Sequence, residues 1–346
     1  MYSWRIGLLP FSWLYGLVVS LRNWFYTLGV FKSRAIPGAS ICVGNITVGG
    51  TGKSPLTAYI AELLEKENPV ILSRGYGRKT QGLYVANPKS TASEIGDEPM
   101  MYWLNFNHRV PVIVAEKRQL GIDWIRAHYP DALILLDDAF QHRAVKAGLN
   151  ILLMTYDRPV FRDFVFPAGN LREPRSGMKR ADIALITKCP QQLSEKDKTP
   201  FRKKIPLKTE HIFFSEVIYG ELKGLFGAIW ESFDQLILVT GIAQPEPLYR
   251  FLAENHRVEA ITFPDHHSFT SEDIQQIQQK VATFANQRCA VVTTEKDAVR
   301  LAEWKDTILA SEIPFFVQSI SVKIDREEDF KALLENYVVR TNERSC

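Results

Sequence analysis

Six segments within residues 39–188 are apolar over consecutive positions, and no other feature limits the fold so strongly. They are ASICVG (39–44), PVILSRG (69–75), VPVIVA (110–115), DALILLDD (131–138), LNILLMT (149–155) and ADIALITK (181–188). A strand wetted on one face alternates polar and apolar residues, whereas a strand continuous in Val, Ile and Leu must be covered on both faces. Helical patterns separate them, SPLTAYIAELLEKE (54–67) and KRQLGIDWIRAHY (117–129) among them. Strands and helices in this alternation predict a doubly wound α/β sheet.

Further along, IFFSEVI (212–218), LILVTG (236–241), VEAITF (258–263) and AVVTT (290–294) are strand candidates. SEDIQQIQQKVATFANQ (271–287) and REEDFKALLENYVV (326–339) are helix candidates. The stretch 190–210 is charged and poor in large apolar residues, which predicts a linker. At 346 residues the chain exceeds one usual core. The expectation is therefore an amino-terminal segment (1–34), a P-loop NTPase-like α/β/α domain (35–205) and a second, smaller α/β domain (206–346).

Between the first strand and the first helix of this pattern lies GNITVGGTGKSP (44–55). It nearly matches the phosphate-binding pattern G-x-x-x-x-G-K-[ST], but Thr47 stands where the first glycine belongs. A strand-to-helix loop is where an anion is best held, because unpaired N–H groups and the helix dipole both point at it. Gly49, Gly50, Thr51 and Gly52 would line the phosphates, with glycine allowing close backbone approach. Lys53 would neutralise them, and the Ser54 hydroxyl would ligate Mg²⁺. Pro55 fits the first helical turn, where no N–H is needed. Such a site needs an acid at the end of a neighbouring buried strand to organise the metal, and DALILLDD ends in Asp137 and Asp138.

Other loops after strands are polar: SRGYGR (73–78), GDEP (96–99), GNLREP (169–174) and FPDHH (263–267). Singly, each reads as an ordinary turn. Together, on the carboxyl ends of strands, they outline a crevice.

Residues 1–34 differ from everything after them. They hold Arg5, Arg22, Lys32 and Arg34, no acid, and nine aromatics including Trp4, Trp13 and Trp24. The sixteen uncharged residues between Arg5 and Arg22 would span about 24 Å as a helix, against a hydrocarbon core of about 30 Å. No small-x-small cleavage site follows, which argues against a signal peptide. A helix lying in the interface of an acidic membrane fits best, with a tilted span and a buried helix pair as the alternatives. The net charge of +3 is too small to argue for nucleic acid. Four scattered cysteines (Cys42, Cys189, Cys289, Cys346) make no zinc spacing and fit a reducing compartment.

In order along the chain, GNITVGGTGKSP, LSRGYGR, GDEP, LLDDAFQH, LREP, TGIAQP, FPDHH and TTEKDAVR resemble the tetraacyldisaccharide 4'-kinases of lipid A biosynthesis. The resemblance runs from about residue 5 to about residue 302. That family's loop has the form GN-x-x-x-GG-x-GK-[ST]-P, without a glycine at the Thr47 position. The resemblance implies transfer of the ATP γ-phosphoryl group to the 4'-hydroxyl of a tetraacylated glucosamine disaccharide 1-phosphate. It implies ATP and Mg²⁺, a lipid substrate at the cytoplasmic face of the bacterial inner membrane, and no obligate protein partner or nucleic acid. By position, Lys53 and Ser54 keep their roles, while Asp137, Asp138 and Glu173 would organise the metal. Asp97 falls on the catalytic base and His266 on its partner, the choice over His267 resting on the family's D-H spacing. A carboxylate taking the hydroxyl proton, oriented by a histidine, is chemically sound for phosphoryl transfer. One departure stands out: the family usually reads DDGFQH, and here Ala139 replaces the glycine.

The residues alone leave rival readings. A membrane-associated P-loop NTPase switch would need N-K-x-D after a late strand, and TKCP (187–190) and TEKD (294–297) both lack that spacing. A kinase with a soluble substrate leaves the aromatic amino terminus without a purpose. A module holding nucleotide only as a structural ligand needs no base, so Asp97→Ala would be silent.

Overall fold

A computed structural model describes residues 3–284 and 287–343. Cys346, residues 1–2 of the amino-terminal segment and residues 285–286 of the 271–287 helix lie outside them. Twelve strands form one sheet. From one edge they are Arg257–Thr262, Gln235–Thr240, Cys289–Thr294, Phe315–Ile324, Ile212–Gly224, Ile183–Thr187, Leu149–Thr155, Ser40–Asn45, Ile134–Asp137, Val70–Ser73, Val112–Val114 and Tyr84–Val85. Neighbours run parallel except at two places, where Phe315–Ile324 meets Ile212–Gly224 and where Val112–Val114 meets Tyr84–Val85.

Helices cover both faces, as the continuous apolar strands require. Along Ser40–Asn45, Ile41 and Val43 pack on one side with Leu56, Ile60 and Phe330. Cys42 packs on the other with Ile122 and Phe140. The same alternation divides Ile237 and Val239 from Leu236 and Leu238 in the second wing of the sheet. The doubly wound α/β architecture is thus present throughout.

Ile212–Gly224 joins the wings. Its first residues pair with Ile183–Thr187, and from Ser215 onward it pairs with Phe315–Ile324. That last strand, FFVQSISVKI, mixes polar and apolar residues and escaped the search for continuous runs. The final helix, Glu327–Glu343, returns to the first wing, where Phe330, Leu334 and Val338 are buried. There Tyr337 donates to Ser40 O at 2.9 Å and accepts from Ser40 N at 3.0 Å.

The linker expected at 190–210 is instead partly helical. Ser194 and Asp197 form a capping box at the start of Glu195–Lys204, and Phe201 is buried as its anchor. One apolar residue with a good cap and tertiary packing outweighs a polar composition.

The amino terminus forms a short 3₁₀ segment, Ser3–Leu8, and then a helix, Leu9–Thr27. Only Ser12 and Gly16 of that helix are buried. Phe11, Leu14, Leu17, Val18, Leu21 and Trp24 are exposed, and Trp13 is 72% exposed. Among the described residues, no helix is long and apolar enough to cross a membrane.

Candidate active site

The carboxyl ends of the central strands open into a crevice of about 1350 Å³, bounded by the glycine loop, the amino-terminal helix and the second wing. Strand Ser40–Asn45 leads into the loop, and helix Lys53–Leu63 leaves it. Gly49 (φ 100°) and Gly52 (φ 82°) both adopt the left-handed conformation that favours glycine. Gly44 is required for another reason, since a Cβ there would lie 2.6 Å from Cβ of Phe140. Thr51 is fixed from two sides, by Asn45 Nδ2 at 2.7 Å and by Thr187 Oγ1, which donates to its carbonyl at 2.8 Å.

Thr47 now has a physical explanation. It bridges Leu171 in antiparallel fashion, Val48 N donates to Asn170 O at 2.8 Å, and Arg172 N donates to Ile46 O at 2.8 Å. The first limb of the loop is thus tied by a β-bridge and two backbone hydrogen bonds to the segment that carries LREP. A β-branched residue suits that limb better than glycine does.

Lys53 Nζ lies 3.7 Å from Asp138 Oδ1, and Arg172 reaches the same carboxylate at 3.2 Å. Asp138, not Ala139, carries the positive φ in DDAFQH (48°), so the alanine sits in that turn without left-handed strain. Asp137 is fully buried, and neither carboxylate oxygen has a hydrogen-bond partner. Burial first, then the Glu98 and Asp138 charges, push its carboxyl up to about 7. An orphaned buried carboxylate beside a serine hydroxyl and a second carboxylate is a donor set that fits Mg²⁺, which takes oxygen from one or two acids and from phosphates. Among the described residues no group of three or more metal-binding side chains converges into a closed cage.

Glu173 was expected among these metal holders, but its oxygens are already engaged. Arg180 donates to both at 2.8 Å, Asn23 Nδ2 to one at 3.1 Å and Gln141 Nε2 to the other at 3.0 Å. Asn23 belongs to the amino-terminal helix, which also reaches the site through Tyr15 to Arg172 O (3.1 Å) and Arg22 to Gln141 O (3.4 Å). The inner face of that helix is therefore part of the site wall.

The GDEP acids begin helix Asp97–Asn105 and face the second wing. Glu98 accepts from Ser54 Oγ at 3.0 Å and pairs with Lys296. Burial opposes its ionisation, but Lys296, Lys53 and Ser54 outweigh burial and take the carboxyl down to about 2. Asp97 receives Arg300 through Nε (2.9 Å) and Nη2 (2.7 Å), and His266 Nδ1 at 3.3 Å. Those bonds from His266 and Arg300 overcome burial and hold Asp97 below the usual carboxylate range, while the bond to Asp97 raises His266. His267 is occupied elsewhere, 2.8 Å from Asp273 and stacked on Phe263, so His266 alone of the pair meets Asp97.

Of the expected residues, Lys53, Ser54, Asp137, Asp138 and His266 line one crevice, and Asp97 joins it through its bond to His266. Lys296 and Arg300 were missed as site residues. Their spacing of four in TTEKDAVR, on one helix face opposite two acids, was the available signal.

Comparison with known proteins bears on the chain as a whole. A family model described as tetraacyldisaccharide-1-P 4'-kinase matches residues 4–339. The tetraacyldisaccharide 4'-kinase of Flavobacterium johnsoniae is 41% identical over 339 residues, covering 96% of each chain. That of Phocaeicola vulgatus is 38% identical, covering 98% of this chain and 96% of its own. Among solved structures, LpxK from Aquifex aeolicus in complex with ATP superposes with a TM-score of 0.74 at 29% identity, over 96% of this chain and 99% of that one. The chain belongs to the tetraacyldisaccharide-1-P 4'-kinase family.

Proposed function

We propose that this protein transfers the γ-phosphoryl group of ATP to the 4'-hydroxyl of a tetraacyl glucosamine disaccharide 1-phosphate, yielding the 1,4'-bisphosphate and ADP. The observation that carries the reading is the assembly across the crevice. A phosphate loop with its lysine occupies the first wing, Glu98 bonds that loop at Ser54, and the adjacent carboxylate, Asp97, is held by His266 and Arg300 from the second wing.

In this mechanism the N–H groups of Gly49 to Gly52 and the amine of Lys53 bind the β- and γ-phosphates. Ser54, Asp137 and Asp138 would hold Mg²⁺, which supplies charge neutralisation when bound. Arg172, paired with Asp138 on the crevice wall, would add positive charge at the transferred group. The hydroxyl oxygen forms its bond to the γ-phosphorus as the bond to the β,γ-bridging oxygen breaks, and the hydroxyl proton passes to Asp97. His266 orients Asp97 and carries part of the charge that develops. Glu173 anchors LREP and the first helix behind these groups.

The two functional units are residues 35–205 for the phosphates and 206–346 for the partners of the base, which act by closing on the crevice while the final helix of the second stays packed on the first wing. The amino-terminal helix lies on the cytoplasmic face of the inner membrane as a peripheral anchor. Its exposed apolar face enters the interface, and its inner face guides the sugar toward Asp97.

The deciding test is transfer of labelled phosphate from ATP to purified tetraacyl disaccharide 1-phosphate in detergent. The expected outcome is a Mg²⁺-dependent bisphosphate, with Asp97→Ala and Lys53→Ala each lowering kcat by at least ~100-fold. Absence of product from the unmodified protein overturns the kinase reading, and full activity of Asp97→Ala removes that residue as base.

A further inference from the structure

The bonds to Asp97 are unevenly distributed. Arg300 Nε, Arg300 Nη2 and His266 Nδ1 all fall on Oδ2. None of them engages Oδ1. Asp97 opens its helix after Gly96, which offers no side-chain cap, so these donors all come from the other wing. Arg300 lies 203 residues away and is almost fully buried. The remaining edge of its guanidinium is fixed by Asp297 Oδ1 at 2.9 Å and Gly241 O at 3.2 Å. Asp297 is itself fully buried and accepts from Thr294 Oγ1 at 2.7 Å. A structural ion pair would be complete with Asp297 alone. Here the rigid fork also spans the gap between the wings, a task a lysine cannot perform in both directions at once.

We propose that Arg300 is a positioning residue for phosphoryl transfer: by clamping Oδ2 it sets Asp97 in one rotamer, with Oδ1 as the oxygen that takes the hydroxyl proton. The proposal rests on the reading of Asp97 as base. It makes catalytic competence conditional on the approach of the wings, because only then do the two halves of the clamp meet. The charged groups around Asp97 agree with this arrangement. Glu98 on its own helix is matched by Lys296, and Asp297 is matched by Arg300. Asp265 lies 4.0 Å from His266 Nε2, and His267 is taken by Asp273. On the SRGYGR loop (73–78) Arg78 pairs with Glu116, Tyr76 meets the His266 ring edge-on and Arg74 lines the crevice. Arg300 is the cation bonded directly to the base.

The test uses the full chain and the labelled-ATP assay, with Arg300→Gln, Arg300→Lys, Asp97→Asn and the Asp97→Asn/Arg300→Gln double variant. Arg300→Gln should lower kcat about 100-fold, the scale of a misplaced catalytic group, and change KM for ATP by less than about twofold. The acid limb of its kcat/KM profile should move to higher pH, since a base that has lost its cation is protonated more readily. Arg300→Lys keeps the charge beside Asp297, so it should melt like the unmodified protein while still losing more than about tenfold in kcat. In the Asp97→Asn background, Arg300→Gln should cost less than about threefold more, because there is no base left to position. A full second loss in that background, or unmodified kcat in Arg300→Lys, overturns the positioning role and leaves Asp97 as base. Unmodified turnover in Asp97→Asn alone would instead overturn the base reading on which the proposal stands.

Discussion

Replacing Glu173 by alanine should cost the ligand-free protein about 3 kcal/mol, and the size of that loss separates an anchor from a metal ligand. The Glu173 side chain is 2% exposed and that of Arg180 is 25% exposed. Removing one partner of a buried ion pair costs about 3–5 kcal/mol, and partial hydration of the abandoned arginine lowers this to about 2–4 kcal/mol. At about 2.1 cal/mol/K of unfolding entropy per residue, the whole chain gives about 0.7 kcal/mol/K, so Tm should fall by about 3–6 °C. The measurement is a thermal melt with EDTA present and no nucleotide. Because Asn23 also loses its acceptor, protease cleavage within Leu9–Thr27 should become faster in the same variant. A carboxylate that merely waits for a cation behaves in the opposite way, since deleting it relieves the empty site. An unchanged Tm, with unchanged cleavage and a raised Mg²⁺ requirement, would refute the anchor argument.

Three further outcomes follow from the same geometry. Asp137 ionises near pH 7 in the fold against a usual 3.8, so between those values only the unfolded chain gains by ionising, and the penalty on the fold grows to about 4 kcal/mol at most. Asp137→Asn should therefore raise the ligand-free Tm at pH 8 and leave it nearly unchanged at pH 4, while abolishing transfer; a fall at pH 8 would contradict the orphan carboxylate. His266→Ala should lower kcat by about 10-fold or more, whereas His267→Ala should lower Tm with kcat within about threefold, as rates and melts of the pair will tell. Changing outward-facing Trp13 and Leu17 to Asp should weaken binding to anionic vesicles by about 100-fold while detergent activity persists, and equal vesicle binding would place the anchor elsewhere.

The sequence was most readable where one physical demand governed a segment. LNILLMT was expected at 149–155 and is a strand over those same residues, because a doubly covered strand has no place for polar side chains. FFVQSISVKI failed the same test because its outer half leaves the core: Phe315 and Phe316 are buried while Ser319 to Ser321 are not. In the site, the phosphate loop and the DD acids could be read because both must sit at strand ends. Arg300 and Lys296 left only their spacing of four as a trace, since their partners Asp97 and Glu98 lie about two hundred residues away and meet them only when the sheet is complete. The setting of Glu173 was hidden for a related reason: its Arg180 neighbour was visible, but Asn23 and Gln141 reach it through the fold alone.

The contact between Asn23 and Glu173 also sets an order of events during synthesis. The first helix leaves the ribosome with its apolar face complete, but the acceptor of its inner face lies 150 residues later. At about 5–20 residues per second, that interval lasts roughly 8–30 s. The helix's first partners from the catalytic wing, Gln141 and Arg143, are themselves made about 120 residues after it. On the proposed role of this helix as a peripheral anchor, membrane contact precedes the folding of the catalytic crevice.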